Sequence, residues 1–431
     1  MVMEVAAVGQ PGGRIVLMHD KQRQRDNEGR FPARHVHVRD DRAKALIAVP
    51  PVAVEGNCDR RFEPVREALW GNFRDRGERG GAVCVLVDGR VVVDLCGGWA
   101  DPGCTRRWQP DTLVNVFSVG KGLIAVCAAR LAGQGRLDLD APVAAYWPEF
   151  GAAGKGAITV RQLLSHQAGL PAVRRRLPPG SMLDWPVMAA ALAAQEPWWE
   201  PGTGHGYHVN TFGFLAGEVI RRVTGATVGT LLREEVAGPL GADVHIGLPA
   251  SQDACVAEFS WPGPPPVEEE PAGLEPAQLM EHNAYFNPGG LSGAGVINSR
   301  AWRAAEVPSA NAHGTARGVA RVYAALAGGG TLDGVTIVGT AALAAATTEQ
   351  VYGPDLVLHR PSRFGLGFQL THRERPLGPG QTAFGHFGAG GSLGFCDPGS
   401  GLAFGYVMNQ MGRRWQNPRT RALVDAVYEC L

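Results

Sequence analysis

Apolar positions first recur at helical spacing at Phe62, Val65, Leu69 and Phe73, which predicts an amphipathic helix ending near Gly77. The stretch AVCVLVDGRVVVDL, residues 82–95, then alternates around Asp88-Gly89, the pattern of a β-hairpin with a two-residue turn. GLIAVCAARLAGQG, residues 122–135, is compatible with a helix stopped by glycines. The middle of the chain mixes helical stretches (RQLLSHQ, FGFLAGEVIRRVTG, VGTLLREEV) with proline-rich loops such as WPGPPPVEEEP. A further helix is expected from Thr315 to Leu326. The segment 382–410 alternates on both sides of Asp397-Pro-Gly399 as a second hairpin, and RTRALVDAVYEC closes the chain as a helix.

Strands therefore lie towards both ends of the folded body and helices lie between them. That order predicts an α+β fold without the regular βαβ alternation of a parallel sheet. The expected division is a sheet domain from 51–117 and 286–431, with a mainly helical domain, 118–285, inserted into it. Residues 1–50 read as a poorly ordered leader, because 20–44 are nearly all polar or charged and show no period. His35 and His37 fall in that leader and read as a chance pair rather than metal ligands. No internal repeat is visible.

Composition removes several classes of function. The 431 residues carry 41 basic and 41 acidic side chains, so no net field draws nucleic acid or an anionic membrane. No apolar stretch is long enough to span a bilayer. The N-terminus lacks the basic and apolar regions of an export signal, which makes a cytoplasmic location the expectation. The eight cysteines are scattered, with no C-x-x-C pair and no zinc-ligand spacing, so neither metal nor other cofactor is called for. The oligomeric state is left open.

Two serines compete as a nucleophile. Ser392 lies in Gly390-Gly-Ser-Leu-Gly394, which spells G-x-S-x-G, but an elbow serine needs a strand before it and a helix after it. Ser392 is followed by Leu-Gly-Phe-Cys-Asp-Pro-Gly, a strand entering a turn, and in a chain with 59 glycines the pattern arises readily by chance. Ser118 lies in Phe117-Ser-Val-Gly-Lys121, an S-x-x-K at the start of a helix. There Lys121 falls one turn away on the same face, and the helix N-terminus favours developing negative charge. A serine hydroxyl needs such a neighbouring base, and a lysine serves once its pKa is depressed.

Phe117-Ser-Val-Gly-Lys121, Gly206-Tyr-His-Val-Asn-Thr-Phe-Gly213 and His386-Phe-Gly388, in this order, resemble the three motifs of the serine β-lactamase and D,D-peptidase superfamily. The likeness is strongest to its class C-like branch with the family VIII carboxylesterases, and connecting segments such as Leu163-Leu-Ser-His-Gln-Ala-Gly169 extend it over about 56–431. The resemblance implies an antiparallel sheet flanked by helices, with the active site where the helical insertion meets it. It implies that Ser118 is acylated, that Lys121 takes its proton, and that Tyr207, ionised or hydrogen-bonded beside the lysine, is a shared acid and base. It places His386, Phe387 and Gly388 on the strand edging the cleft, and makes the backbone N–H groups of Ser118 and Ala389 the oxyanion hole. Phe117 joins the substrate-binding residues, and Trp198 or Trp199 are further candidates for an apolar acyl pocket.

Two departures matter. The family's Y-x-N asparagine falls on Val209, with Asn210 one position off, so the contact to a substrate amide is lost. The K-T-G lysine is His386, largely neutral at pH 7, which holds a carboxylate less firmly. Both favour a small-molecule ester, with a short acyl chain, over a β-lactam or a peptide. β-lactamase, D,D-peptidase or amidase activity and acyl transfer stand as alternatives on the same residues, and a binding protein on a hydrolase scaffold is the alternative outside the enzymes.

Overall fold

The computed structural model describes residues 52–261, 273–290, 294–412 and 417–431; the polar leader with His35 and His37, and nearly all of the WPGPPPVEEEP loop, lie outside these. Strand β1 (Val54–Cys58) leads into helix α1 (Glu63–Asp75), the helix expected from the first apolar period, with Phe62, Val65 and Leu69 buried. The first hairpin pairs β2 (Gly80–Val87) with β3 (Arg90–Gly98). Its two turn residues, Asp88 and Gly89, have φ of 49° and 76°, the mirror-image turn that matches strand twist. Strand β4 (Val114–Phe117) runs directly into helix α2 (Val119–Gly133), which is buried on almost every side and reads apolar all round.

Helix α3 (Thr211–Thr224), the two-residue strand β5 (Val244–His245) and helix α4 (Pro276–Phe286) belong to the middle of the chain. Strand β6 (Ala312–Gly314) pairs with both β4 and β5 in a small three-stranded sheet. Helix α5 (Ala316–Ala327) follows, with Thr315 as its N-cap, and β7 (Thr331–Leu332) and β8 (Val335–Thr336) form a separate ribbon.

The main sheet is completed by β9 (Val351–Pro354), β10 (Pro361–Phe364), β11 (Gln369–Leu370), β12 (Phe384–Phe387), β13 (Leu393–Asp397) and β14 (Leu402–Met408). Its nine strands run in the order β1-β3-β2-β14-β13-β12-β11-β10-β9, each pair antiparallel. Helix α5 packs on β2, β13 and β14, while α1 packs on β3 and against the terminal helix α6 (Pro418–Glu429). This is an α+β fold, and all eight cysteines are free thiols.

Strands β9 to β11 and β4 to β6 escape the sequence pattern. Each is two to four residues long, too short for alternation to register, and each forms because a partner strand is already in place. Among the described residues no helix is long and apolar enough to cross a membrane.

Candidate active site

Phe117 ends β4 with φ of 50°, a left-handed conformation that is uncommon for an aromatic residue and turns the strand sharply into α2. The turn leaves Ser118 at the N-cap of the helix, 9% exposed. Lys121, one turn on and fully buried, places Nζ 3.1 Å from Ser118 Oγ, 2.6 Å from the Val209 carbonyl and 3.1 Å from the Ser309 carbonyl. Ser118 Oγ also lies 3.3 Å from the Ser309 carbonyl. Burial drives the Lys121 ammonium well below its ordinary pKa, and no carboxylate opposes that shift.

α2 can lie this close to the Tyr323 side chain of α5 because position 122 is glycine: a Cβ there would meet the Tyr323 hydroxyl at 2.2 Å. On the sheet side the same glycine faces His386 on β12, whose Cβ would lie 3.7 Å from an added methyl.

Tyr207 comes from the segment before α3. Its ring stacks on Phe364 at 6.0 Å and 6°, lies 4.8 Å from Lys121 Nζ, and faces the His386 ring at 5.9 Å. Burial pushes its phenol far above the ordinary value, and a hydrogen bond with Ser118 only partly offsets this. Of the two forms expected for this tyrosine, ionised or hydrogen-bonded, burial favours the protonated, hydrogen-bonded one. Tyrosine and lysine share a dry interior, and burial disfavours the charged form of each, raising the phenol and lowering the ammonium.

His386 is also fully buried, and burial first, then Lys121, holds its imidazole well below the ordinary value. Its Nδ1 lies 2.7 Å from the Phe387 carbonyl, so in the neutral ring Nδ1–H donates and Nε2 is the acceptor. Phe387 and Phe117 are nearly covered: Phe117 packs edge-on against Phe259 at 4.9 Å, and the Arg375 guanidinium lies 5.3 Å over the Phe387 ring. Trp198 and Trp199 are half-buried and line a groove beside the Tyr207 segment.

After Gly388 the chain makes a short turn, Ala389–Gly391, which is pinned from behind. Asn417 Nδ2 donates to the Gly390 carbonyl at 2.6 Å, Arg419 Nη2 to the same oxygen at 3.2 Å, and Thr420 Oγ1 to the Gly391 carbonyl at 2.7 Å. Ser392 follows. It is fully buried at the head of β13 and donates its hydroxyl to the Val116 carbonyl at 2.9 Å. It thus ties the turn to the residue two places before Ser118, and no helix follows it.

Val209 takes part through its backbone, since its carbonyl receives Lys121, while its side chain packs with Ala172, Met280 and Ala284. Asn210 turns away, and its Nδ2 donates to the Ala284 carbonyl at 3.0 Å. Two contributors went unseen in the sequence. Ser309 acts through its carbonyl on Lys121 and through Oγ, which accepts from Gly213 N at 2.7 Å; a backbone contribution leaves no mark in a motif. Asp355, 2% exposed, accepts from the Tyr207 amide at 3.0 Å and from the Ser362 hydroxyl at 2.7 Å, though it lies 148 residues from Tyr207. Among the described residues no cluster of three or more His, Cys, Asp or Glu could hold a metal.

The beta-lactamase family profile matches residues 59–429. The esterase/beta-lactamase LipL of Mycobacterium tuberculosis is 38% identical over 369 residues, 83% of this chain and 83% of its own. A family VIII carboxylesterase of known structure superposes with a TM-score of 0.81 at 45% identity, over 88% of this chain and 100% of its own. A penicillin-binding protein homolog from Caulobacter crescentus gives 0.80 at 42% identity, over 88% and 100%. A match that spans nearly the whole described body, on a sheet and helices of the same architecture, leads to one conclusion: the chain belongs to the beta-lactamase family.

Proposed function

We propose that this chain is a serine carboxylesterase that works through an acyl-enzyme on Ser118. The observation that carries this reading is the contact set of Lys121: a fully buried amine, 3.1 Å from Ser118 Oγ, with two carbonyls at 2.6 and 3.1 Å and no carboxylate partner among the described residues. A neutral amine has two N–H bonds and one lone pair. With the two hydrogens given to the Val209 and Ser309 carbonyls, the lone pair is left for the Ser118 hydroxyl. That is the state in which a lysine can act as a base.

In the first half-reaction Ser118 Oγ attacks the ester carbonyl and its proton passes to Lys121 Nζ. The carbonyl oxygen takes up negative charge against the Ser118 and Ala389 N–H groups, the second of which the Asn417, Arg419 and Thr420 contacts hold in place. As the C–O bond breaks, the Tyr207 hydroxyl gives its proton to the departing alkoxide. The proton on Lys121, whose Nζ lies 4.8 Å from the ring, then restores the phenol. Water repeats the sequence on the acyl-enzyme, with Lys121 taking its proton and Ser118 Oγ as the leaving group.

The same residues explain the leaning towards esters. Val209 offers no side-chain amide to a peptide or β-lactam, and a neutral His386 gives no cation to a carboxylate at that strand. The esterase named in LipL and the carboxylesterase among the similar structures support the same reading. The test is a pre-steady-state burst of p-nitrophenol from p-nitrophenyl butanoate, with nitrocefin turnover measured beside it. A burst that tracks enzyme concentration is expected; its absence together with efficient nitrocefin cleavage would replace the esterase with a β-lactamase.

A further inference from the structure

A groove of about 800 Å³ opens beside the Tyr207 segment, within the size range of small-molecule sites. Trp198, Trp199, Met280 and Leu356 give it apolar walls, and Arg174 and Arg360 stand among them. It adjoins the catalytic segment. Gly206, the residue before Tyr207, packs so tightly on its wall that a Cβ would sit 2.8 Å from Trp199 Cη2 and 3.4 Å from Leu356 Cβ. Val209, whose carbonyl receives Lys121, sends its side chain into the apolar cluster shared by Met280, Trp198 and Trp199.

The charges in the groove are unequal. Asp355 spends its oxygens on the amides of Tyr207, Val357 and Leu358 and on the Ser362 hydroxyl. His359 is paired with Glu281 at 3.1 Å. Arg360 shares the field of Asp355 and is partly desolvated. Arg174 differs: its guanidinium lies 3.7 Å over the Trp198 ring, with one long contact of 3.4 Å to the Pro197 carbonyl, and no carboxylate pairs with it among the described residues. An arginine held over an indole keeps N–H groups free to turn to whatever lies beside it, and an anion is the group they receive best.

We propose that this groove binds the non-reacting end of the substrate, an apolar chain or aromatic ring that terminates in a carboxylate, with Arg174 on Trp198 as the anion contact. The substrate class is then esters carrying a distal carboxylate, such as half-esters of dicarboxylic acids. This deepens the carboxylesterase reading and rests on it.

Equilibrium binding to the Ser118→Ala chain separates the two. 4-Phenylbutanoate should bind at least about tenfold more tightly than 4-phenylbutanamide, the scale of one charge-assisted contact. Arg174→Gln should erase that preference, while Arg175→Gln, the same change of charge next to the groove lining, should keep it. In turnover by the unmodified chain, mono-p-nitrophenyl adipate should show a lower KM than p-nitrophenyl hexanoate, and Arg174→Gln should raise the first KM alone. Equal binding of acid and amide, or a preference that survives Arg174→Gln, overturns the assignment. If neither ester is hydrolysed but the acid is still bound selectively through Arg174, the esterase reading falls and the groove stands.

Discussion

At the scale of single residues, the distinction between the two serines is sharp enough to measure. Ser118→Ala should abolish the p-nitrophenol burst. Ser392→Ala removes one buried hydrogen bond, to Val116, worth about 0.5–1.5 kcal/mol, and should lower the melting temperature while a burst of full amplitude remains. Tyr207→Phe keeps the stacking on Phe364 and removes the hydroxyl proposed to protonate the leaving group. The expected loss in kcat is about 10²–10⁴-fold at nearly unchanged melting temperature. Wild-type rates in Tyr207→Phe would leave Lys121 as the sole proton carrier. The identities of Ser118, Lys121 and Tyr207 were legible as motifs. Their protonation states were not, because a pKa depends on what surrounds the group, and residues as distant in sequence as Ser309 and Phe364 provide the surroundings.

At the scale of elements, the turn Ala389–Gly391 is held by the start of α6, a helix whose sequence carries no catalytic signature. Asn417 does two jobs, capping α6 by accepting from the amides of Arg419 and Thr420 and fixing the Gly390 carbonyl. Asn417→Ala should therefore cost stability of the order of a lost N-cap, about 0.5–2 kcal/mol. It should also lower kcat with little change in KM, by no more than the roughly 10²–10³-fold that losing one oxyanion donor costs. A fall in stability with kcat intact, read from paired calorimetry and steady-state kinetics, would detach α6 from the active site. The two hairpins and helices α1, α2, α5 and α6 could be read from periodicity because each is long and amphipathic or bounded by turn residues.

At the scale of the whole molecule, burial of titratable groups sets the response to pH. With Lys121 as the proposed acylation base, the rate should fall on the acid side through a lysine pKa that burial holds well below its ordinary value, and activity should persist through neutral pH. Stability follows the buried histidines. Burial lowers His208 to about 4 and His313 to about 3. The unfolded chain, with histidines near 6.5, therefore binds more protons than the folded one between those values and 6.5. Stability present above pH 6.5 is lost as pH falls through that window, on the order of 2 kcal/mol per histidine between pH 7 and 5. Urea unfolding at the two pH values measures it; equal midpoints would mean that these rings keep solvent access.

The sequence by itself determined the local elements and the chemistry available to them. Periodicity marked α1 and the hairpins, glycines bounded α2, and S-x-x-K placed Lys121 one helical turn from Ser118, since all depend on neighbours within a few residues. Tertiary structure decided what depends on distance in space. It set Tyr207 over Lys121 and tied the Tyr207 amide to Asp355, 148 residues away. It turned Val209 from a missing side chain into a carbonyl ligand, and Ser392 from a rival nucleophile into a strut on Val116. The physical reason is common to all four: the low-dielectric interior that shifts the lysine and the tyrosine exists only once distant segments have closed around them.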